Sequence, residues 1–323
     1  MHGARWGLLF ASGFHQPQWL FSECRRLLGD IPLVGGSCCG IITPAGVEYG
    51  GFEAMLMLFD SEPDYRSFTH ADINQLPAWL GQDHGLCFID LLGELHLDEK
   101  ALAGSQLHGG ALIGDLAMSS SFIFVGDQVV TNQLVVAKLP KPTRSQVFHT
   151  ALPISDTATI TGAKGQQILT LNGEPALDRL CAVTGLCAQE LHGATLHSLA
   201  VGLPWGDSYS SHCLVGVDTN TGSLTLLTGQ LEVGSKAVLI TKVIEQGDSP
   251  TINLLHDFVA NRPSFYINCA SRTGAFSGAL EEESDAIRKP LGKGLAGIFT
   301  AAELISNAKG PRLMNWSSEV MQW

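Results

Sequence analysis

The chain has 323 residues, of which 45% are apolar and only 15% are charged. Ordinary domains carry about 25% charged residues, so this composition argues against disorder and coiled coil and predicts a well-buried globular protein. With 31 acidic and 19 basic residues the net charge is −12, which repels phosphate backbones and argues against a nucleic-acid partner. No apolar run approaches the ~20 residues of a membrane-spanning helix, so we expect no membrane insertion.

Residues 7–11 form a short apolar stretch without a proper basic segment before it, so the sequence shows no secretory signal. We therefore predict a cytoplasmic location. Because a reducing compartment keeps thiols free, we expect all eight cysteines to be reduced and most to serve as small core residues. A bond between the adjacent Cys38 and Cys39 would be strained.

Three segments of the chain read as a strand, a crossover and a second strand marked by glycine. They cover residues 7–42, 85–115 and 264–305, and the first two share the spacing G-G-x-x-x-G from Gly35 and from Gly109. This order is typical of βαβ units, whose parallel strands need a crossover connection. We expect the first and third segments to superpose as strand–helix–strand units related by a pseudo-twofold axis.

The crossover of the first segment is predicted to be an amphipathic helix. Four apolar residues fall at i, i+4, i+7 and i+8, which is the spacing of one buried stripe. They are Leu20, Cys24, Leu27 and Leu28.

The domain organisation is predicted from a linker. Residues 138–144 are rich in lysine and proline, which places a boundary near residue 150. The domains are then 1–150 and 151–323, with a last βαβ-like unit at about 264–310. The predicted fold class is α/β, with two lobes of mixed β-sheets and crossover helices that contain weak internal βαβ-like repeats.

Short motifs, many of them rich in glycine, follow one another along nearly the whole chain. In the N-terminal half they are Phe10-Ala-Ser12, Val34-Gly-Gly-Ser-Cys-Cys-Gly40, Gly109-Gly110 with Gly114-Asp115, and Phe122–Val125 with Gly126-Asp127. In the C-terminal half they are residues 168–178, Leu203-Pro204, Val215-Gly-Val-Asp218, Cys269-Ala-Ser-Arg272, Gly297-Ile-Phe-Thr300, Glu303-Leu-Ile305 and Asn315-Trp-Ser317. In this order the motifs resemble the FIST-domain proteins (F-box and intracellular signal transduction). The resemblance assigns a FIST N-like domain to 1–150 and a FIST C-like domain to 151–323.

Four positions depart from the pattern of the family. Its first loop usually reads G-C-S-T-A-G-E-I, whereas here Cys38 replaces the hydroxyl residue and Ile41 the glutamate. Glycine usually precedes the glutamate of the third loop, where this chain has Ala302. An arginine is common just before the V-G-V-D strand, where this chain has His212. A family ligand held by that arginine or by the first-loop glutamate is expected to be held differently here.

The resemblance implies a sensory input module of bacterial signalling that has no catalytic activity and no resident cofactor. Such modules are often encoded with histidine kinases, cyclases or chemoreceptors, so the implied partner is a signalling protein of one of these kinds. The implied ligand is a small molecule, either amino-acid-like or another anionic metabolite. Because the sequence shows no transmitter domain, we expect its output to pass through a separate protein.

The candidate ligand site lies at the carboxyl ends of the predicted strands, where ligands of open α/β sheets bind. Glycine-rich loops let backbone N–H groups approach an anion closely. Arg272 is suited to hold a carboxylate and Glu303 an ammonium. The structural alternative is that these two residues pair with each other or with surface charges. The candidate ligand-binding residues are Ser12, Gly35, Gly36, Ser37, Cys38, Gly40, Gly109, Gly110, His212, Arg272, Phe299, Thr300 and Glu303.

Two other functions stay open on the sequence. Some FIST proteins are haem-based nitric oxide sensors; with no C-x-x-C-H motif a haem here would be noncovalent, bound through His15, His108 or His212. The third hypothesis is a cysteine-dependent enzyme whose nucleophile is Cys38 or Cys269. For all five residues the alternative is an ordinary packing or surface role, and no metal site is expected.

Overall fold

The computed structural model describes residues 3–93, 97–149, 151–243, 255–277, 283–308 and 310–323. The contacts of the chain separate into two compact units. Unit 1 comprises Met1–Phe148, Glu245–Arg312 and Ser318–Trp323, and unit 2 comprises His149–Ile244 and Leu313–Ser317. The expected boundary near residue 150 falls at a junction of these units, whereas residues 264–310 group with the N-terminal part. The division into 1–150 and 151–323, which is inferred from the linker at residues 138–144, stays a prediction.

Up to residue 149 the described chain is mostly β-structure. Its strands are β1 (Trp6–Ala11), β2 (Leu33–Ser37), β3 (Gly40–Ile42), β4 (Val47–Tyr49), β5 (Ala54–Phe59), β6 (Tyr65–Phe68), β7 (His84–Asp90), β8 (Gln106–Leu112), β9 (Ile123–Gly126), β10 (Gln128–Val130), β11 (Leu134–Leu139) and β12 (Arg144–His149). Its α-helices are α1 (Pro17–Leu28) and α2 (Leu76–Leu80). Both carry proline in the first turn, where the missing N–H has no helical partner to lose.

Helix α1 forms where the sequence predicts it, but its buried stripe is narrower. Phe21 is buried, and the predicted residues Leu20, Cys24 and Leu28 pack against the same apolar cluster. Leu27 is 65% exposed, so the prediction that it is buried is wrong. At 3.6 residues per turn it lies about 120° around the helix from Phe21, which sets the buried direction.

Unit 2 is built around a closed antiparallel sheet. Its strands are β13 (Ala151–Pro153), β14 (Ala158–Lys164), β15 (Gln167–Leu171), β16 (Glu174–Pro175), β17 (Leu199–Trp205), β18 (Ser208–Asp218), β19 (Ser223–Leu226) and β20 (Lys236–Lys242), and its α-helices are α3 (Ala176–Thr184) and α4 (Gly193–His197). Six of the strands close into a barrel in the order β14-β15-β19-β18-β17-β20, because β20 pairs with both β17 and β14. Closure leaves no open edge among these six strands.

From residue 255 onward the described chain returns to alternating strands and short helices. They are β21 (Ser264–Cys269), α5 (Gly274–Ser277), α6 (Asp285–Leu291), β22 (Leu295–Thr300), β23 (Ala302–Asn307), β24 (Gly310–Met314) and β25 (Ser317–Gln322). None of the helices in the described part of the chain is long and apolar enough to cross a bilayer.

The predicted βαβ-like repeats are confirmed by three parallel strand pairs, and the fold is mixed α/β. β1 pairs with β2, β7 with β8, and β21 with β22. The registers are equivalent, since Gly35 lies opposite Leu9, Gly109 opposite Cys87, and Gly297 opposite Tyr266. We call residues 6–59, 84–139 and 264–322 repeats 1, 2 and 3.

The three repeats build three sheets with one common strand order. These orders are β10-β9-β2-β1-β5 for repeat 1, β24-β23-β8-β7-β11-β6 for repeat 2, and β4-β3-β22-β21-β25-β12 for repeat 3. In each sheet the hairpin beside the second strand comes from another repeat: β3–β4 joins repeat 3, β9–β10 joins repeat 1, and β23–β24 joins repeat 2. Each repeat thus gives its hairpin to the sheet of another repeat, and the three exchanges form a cycle. This cyclic arrangement of three repeats replaces the expected pseudo-twofold relation between the first and third segments.

Each repeat contributes a phenylalanine from its first strand to one apolar core. The rings of Phe10 and Phe88 lie 4.9 Å apart between centroids, those of Phe10 and Phe265 5.8 Å, and those of Phe88 and Phe265 6.5 Å. All three side chains are fully buried. Burial of one such side chain contributes roughly 1.5–3 kcal/mol, so this contact helps to hold the three sheets together.

The first glycine of each G-G-x-x-x-G motif has the same structural role. Gly35 and Gly109 adopt φ values of +135° and +145°, which side chains rarely tolerate. A Cβ at either position would overlap a carbonyl oxygen of the neighbouring parallel strand, that of Leu9 or that of Cys87. The spacing seen in the sequence therefore reflects one backbone geometry used twice.

Candidate functional site

The carboxyl ends of the parallel strands of unit 1 meet. Gly13, after β1, donates its N–H to the carbonyl of Gly114, after β8, at 2.7 Å. Cys39, after β2, donates its thiol to the carbonyl of Phe299 in β22 at 3.6 Å. Strand β23, which follows β22, pairs with β8. We call this region the carboxyl-end site, and its buried polar and thiol residues include Ser12, Ser37, Cys38, Cys39, Asp90, Asn268, Cys269, Thr300 and Glu303.

All candidate ligand-binding residues except His212 lie in unit 1. His212 is buried in unit 2, where its Nε2 lies 2.9 Å from the Ser210 hydroxyl and its Nδ1 lies 3.0 Å from that of Thr228. Gly229 adopts φ +104°, and a Cβ on it would lie 2.8 Å from His212 Nδ1. His212 thus belongs to a packed polar network of unit 2.

The two candidate serines are buried and fix local backbone. Ser12 accepts a hydrogen bond from the N–H of Phe14 at 3.3 Å, and Ser37 accepts one from the N–H of Phe122 at 3.2 Å. Both are at most 1% exposed. Each hydroxyl also carries a donor, which leaves it able to bond to a ligand in the carboxyl-end site.

All five candidate glycines lie in strands rather than in loops. Gly40 begins β3. The other four are Gly35 and Gly36 in β2 and Gly109 and Gly110 in β8. Both strands pair on both sides, so these N–H groups serve the sheets and do not form the anion-binding loop that the sequence suggests. A Cβ on Gly110 would lie 2.9 Å from Cγ2 of Thr300, so glycine there lets the end of β22 approach closely.

Arg272 lies in the 3₁₀-helix Ala270–Arg272 that follows β21. Its Nε donates to Glu283 Oε2 at 2.7 Å and its Nη2 donates to Glu283 Oε1, which makes a two-pronged ion pair. The arginine and glutamate side chains are 3% and 9% exposed. The ion pair found for Arg272 is therefore with Glu283, eleven residues along the chain, and not the suggested one with Glu303.

Glu303 is fully buried in β23, opposite Gly110 of β8. Its Oε1 accepts a hydrogen bond from the Thr300 hydroxyl at 2.9 Å. Because β23 begins directly after β22, the short turn holds these two candidate residues together. Ile41, the second residue of β3, lies opposite Ile298 of β22, which is the position in repeat 3's sheet that corresponds to Glu303 opposite Gly110.

The most informative polar residue of the site was missed by the sequence reasoning. Asn268 is fully buried in β21, beside Phe299 on one side and Ser318 on the other. Within the described part of the chain neither Oδ1 nor Nδ2 of its side chain has a hydrogen-bond partner. The signal that could have found it is a single amide inside the otherwise apolar run Phe-Tyr-Ile-Asn-Cys of residues 265–269.

The candidate nucleophiles are buried thiols. Burial, reinforced by the charge of Glu53, raises the pKa of Cys38 to about 12, although the N–H of Gly40 opposes this. Cys38 is therefore a neutral thiol near pH 7, where nucleophilic catalysis requires a thiolate. Cys269 is 1% exposed and its sulfur lies 3.1 Å from the Ser271 hydroxyl. All eight cysteines are free thiols in the structure.

The candidate haem ligands of unit 1 both have protein partners. His15 Nε2 lies 2.9 Å from the carbonyl of Phe52. His108 contacts Glu319 through Nδ1 at 2.8 Å and His84 through Nε2 at 3.1 Å. A haem iron on His108 would have to displace one of these contacts. Among the described residues no group of three or more His, Cys, Asp or Glu side chains is placed to hold a metal ion.

Unit 2 holds an open cavity that the sequence did not indicate. Its volume is about 730 Å³. It is lined by Pro153, Ile154, Ser155, Asp156, Glu174, Asp178, Arg179, Ala182 and Val183. Three carboxylates against one guanidinium give this cavity a negative lining, which suits a cationic group rather than the anionic ligand expected from the sequence.

Comparison with known families gives one match. The model of the FIST N domain matches residues 5–174, which is more than half of the chain. The match covers repeats 1 and 2 and continues to β16. No curated protein matches the chain.

Proposed function

The chain belongs to the FIST family, and we propose that it is a sensory protein that binds a small molecule at the carboxyl-end site of unit 1. FIST domains are sensory, ligand-binding domains of signal transduction. The proposed output passes to a separate signalling protein of the histidine kinase, cyclase or chemoreceptor kind, in the bacterial cytoplasm. Membership of the family supports this part of the proposal, and the geometry of the carboxyl-end site supports the kind of ligand.

The observation that carries the proposal is the buried side chain of Asn268. Nearly all buried polar groups in proteins have a partner, and each one left without costs about 1–3 kcal/mol. Within the described residues both polar atoms of this amide lack one. A bound molecule that offers an acceptor and a donor side by side would satisfy both atoms at once.

The charges around Asn268 indicate the kind of ligand. Burial raises the pKa of the neighbouring Tyr266, whose hydroxyl bonds to Ser318, so this hydroxyl stays neutral. Glu283 neutralises Arg272, and Glu303 adds a further carboxyl group. A neutral or zwitterionic ligand, such as an amino-acid-like molecule, therefore suits the site better than a purely anionic metabolite.

The proposal is tested by native mass spectrometry of the full chain purified from its source organism. We expect a co-purifying mass below about 1 kDa with the wild type and none with Asn268→Leu, which keeps the shape but removes the amide. The matched control is Asn315→Leu in unit 2, where Asn315 Oδ1 already accepts the N–H of Cys213 at 2.9 Å.

Two results of this experiment would contradict the proposal. A wild-type protein with no co-purifying mass, or Asn268→Leu protein that keeps it, would contradict ligand binding at this residue. An absorbance spectrum of the wild-type sample tests the haem alternative. A Soret band that is lost in His15→Ala, His108→Ala or His212→Ala would replace the proposal.

A further inference from the structure

Among the residues that the structure describes, two of the three equivalent sheets of unit 1 carry an outer strand and the third does not. β6 lies outside β11 in the sheet of repeat 2, and β12 lies outside β25 in the sheet of repeat 3. In the sheet of repeat 1 the equivalent strand, β5, is the edge. The cyclic order of the repeats therefore marks the outer side of β5 as a position for one more strand.

Both outer strands run antiparallel to the strands they cover. β6 pairs antiparallel with β11. β12 does the same with β25, because Thr143 bonds to the carbonyl of Gln322 while Ser145, further along, bonds to Glu319, further back. A strand added to β5 in the equivalent way would also be antiparallel.

The free side of β5 presents unused backbone groups. Ser12 donates its N–H to the carbonyl of Glu53, in register with the β1–β5 pairs. Because hydrogen bonds alternate along an antiparallel strand, the N–H and C=O groups of Ala54, Leu56 and Leu58 point away from β1. Within the described chain no strand pairs with this side.

The side chains of β5 do not protect this edge. Its sequence Ala-Met-Leu-Met-Leu-Phe holds no charge, proline or bulge, which are the usual devices that keep a free edge unpaired. Such an edge is stable in solution when another strand covers it.

Exposed apolar side chains concentrate around the same sheet. Nine large apolar side chains of the described chain are exposed, and five of them belong to repeat 1. These five are Phe14, Trp19, Leu27, Phe52 and Leu56. Phe52, 73% exposed, contacts Phe14 at 6.2 Å between ring centroids and lies two residues before β5. Trp19 and Leu27 lie on α1, which contacts β10 at the other end of the sheet, so the apolar residues near the free edge are Phe14, Phe52 and Leu56. Exposed apolar side chains beside a free edge are typical of an interaction site.

We propose that β5 binds an extended segment of a partner protein, which joins the sheet as an antiparallel sixth strand. The strands that fill this position inside the protein indicate its chemistry. β6 reads Tyr-Arg-Ser-Phe over 4 residues and β12 reads Arg-Ser-Gln-Val-Phe-His over 6 residues. The segment is thus a short run that combines a basic residue with an aromatic one. Main-chain hydrogen bonds supply its affinity and alternate side chains its specificity.

Charge favours such a segment over a second copy of the chain. Asp60 follows β5 directly and is exposed, whereas Glu62 and Asp64, also exposed, form ion pairs with Arg5 and Lys138. A basic residue in the added strand is attracted by Asp60, whereas a second copy brings the same carboxylate and a net charge of −12. The inference rests on the proposed function only in taking the segment to belong to the signalling partner.

The test uses the full chain and a synthetic peptide that copies residues 143–149, the β12 segment. Binding is measured by fluorescence anisotropy, and the site by amide hydrogen exchange. We expect slower exchange at Leu56 and Leu58 when the peptide is bound. Leu56→Pro removes a central donor from the edge and should weaken binding at least tenfold.

A second pair of variants keeps the test decisive if Leu56→Pro fails to fold. Leu56→Lys places a charge on the outward face of the edge and should weaken binding of the basic peptide at least tenfold. Val233→Lys changes an equally apolar side chain, 63% exposed in unit 2, and should leave binding unchanged.

The inference is overturned if the peptide leaves exchange in β5 unchanged or binds Leu56→Lys as tightly as the wild type. A concentration-dependent dimer in sedimentation that Leu56→Lys abolishes would also overturn it, since the occupant would then be a second copy. Native mass spectra of the same samples separate the two proposals. Peptide binding without a co-purified ligand would contradict the proposed function alone, and ligand without peptide binding would contradict this inference alone.

Discussion

His108 Nδ1 lies 2.8 Å from Glu319 Oε1 in the interior of unit 1, where the two side chains are 10% and 2% exposed. Glu319 lies in β25, and the equivalent strands β5 and β11 have the apolar residues Met55 and Val135 at its position. Ser145 donates to the same carboxylate oxygen at 2.5 Å, and His108 Nε2 meets Nδ1 of His84 at 3.1 Å. A chain of four polar groups thus enters an otherwise apolar core from the half-buried His84.

This chain predicts two histidines that titrate in opposite directions. Burial lowers the pKa of His108, but the charge and hydrogen bond of Glu319 outweigh it, so the net pKa is raised. Burial, then the charges of His108 and Lys141, lower the pKa of His84 against the smaller effects of Glu319 and Asp83. Histidine ring resonances followed by NMR should titrate on either side of the ordinary value of about 6.5.

The raised pKa of His108 gives a pH dependence of stability. A group whose pKa is raised on folding stabilises the protein below its unfolded value, and this contribution is lost as pH rises through the folded value. The stability advantage of the wild type over Glu319→Gln should therefore shrink between pH 6 and pH 9 in urea unfolding. The matched control is Val233→Ala, which changes an exposed side chain of unit 2 without a titratable group, so its effect on stability should not vary with pH. A constant difference for Glu319→Gln would contradict the pairing.

Asn268→Leu is expected to raise the stability of ligand-free protein. The substitution removes a buried amide without partners and keeps a side chain of similar size, so a gain of about 1–3 kcal/mol follows. At about 2–4 °C per kcal/mol for large domains, the melting temperature rises by several degrees. Asn315→Leu should move it the opposite way, because Asn315 accepts hydrogen bonds from Cys213 and Thr228. Equal losses in both variants would mean that Asn268 has a partner in solution.

Gly109→Ala is expected to destabilise unit 1 by more than about 3 kcal/mol. The position combines φ +145° with a Cβ that would overlap the carbonyl of Cys87, so both strain and displaced backbone contribute. Gly46→Ala is the matched control, since no atom lies within 4 Å of its added Cβ and its φ is not positive. Chemical unfolding monitored by circular dichroism measures both. A loss below 1 kcal/mol in Gly109→Ala would contradict the geometry of the repeat.

The local part of the fold was predictable from the sequence, because each βαβ repeat is encoded within about 50 residues by apolar runs and glycines. The exchange of hairpins between repeats was not predictable from the sequence. β3 and β22 pair although more than 250 residues separate them, and neither strand has a sequence feature that identifies the other as its partner. The barrel of unit 2 was missed for the same reason. Its strands were recognisable as β-prone runs, but closure depends on the pairing of β17 with β20.

The candidate site was predictable in location but not in detail. Gly110, Thr300 and Glu303 do come together, because strand ends of parallel sheets meet at one edge. The partner of Arg272 could not be foreseen, since ion pairs depend on side-chain reach after folding. Asn268 was passed over because a polar residue in an apolar strand shows its lack of partners only in three dimensions.

Arg272→Ala tests whether Arg272 stabilises the fold through its ion pair with Glu283 or contacts the ligand. The change leaves Glu283 with a side chain only 9% exposed and without its two-pronged partner. Breaking a buried pair in this way costs about 3–5 kcal/mol, so thermal unfolding should begin at a clearly lower temperature. Arg272→Ala combined with Glu283→Ala should recover part of the loss, because the buried carboxylate that loses the guanidinium is removed with it. Arg272→Lys should recover less, because an ammonium lacks the planar fork. If the double variant is no more stable than Arg272→Ala alone, the ion pair is not the source of the loss.

Native mass spectra of the same samples then decide whether Arg272 contacts the ligand. A variant that unfolds early yet retains the co-purified ligand per folded molecule removes Arg272 from the ligand contacts and leaves it as a structural partner of Glu283.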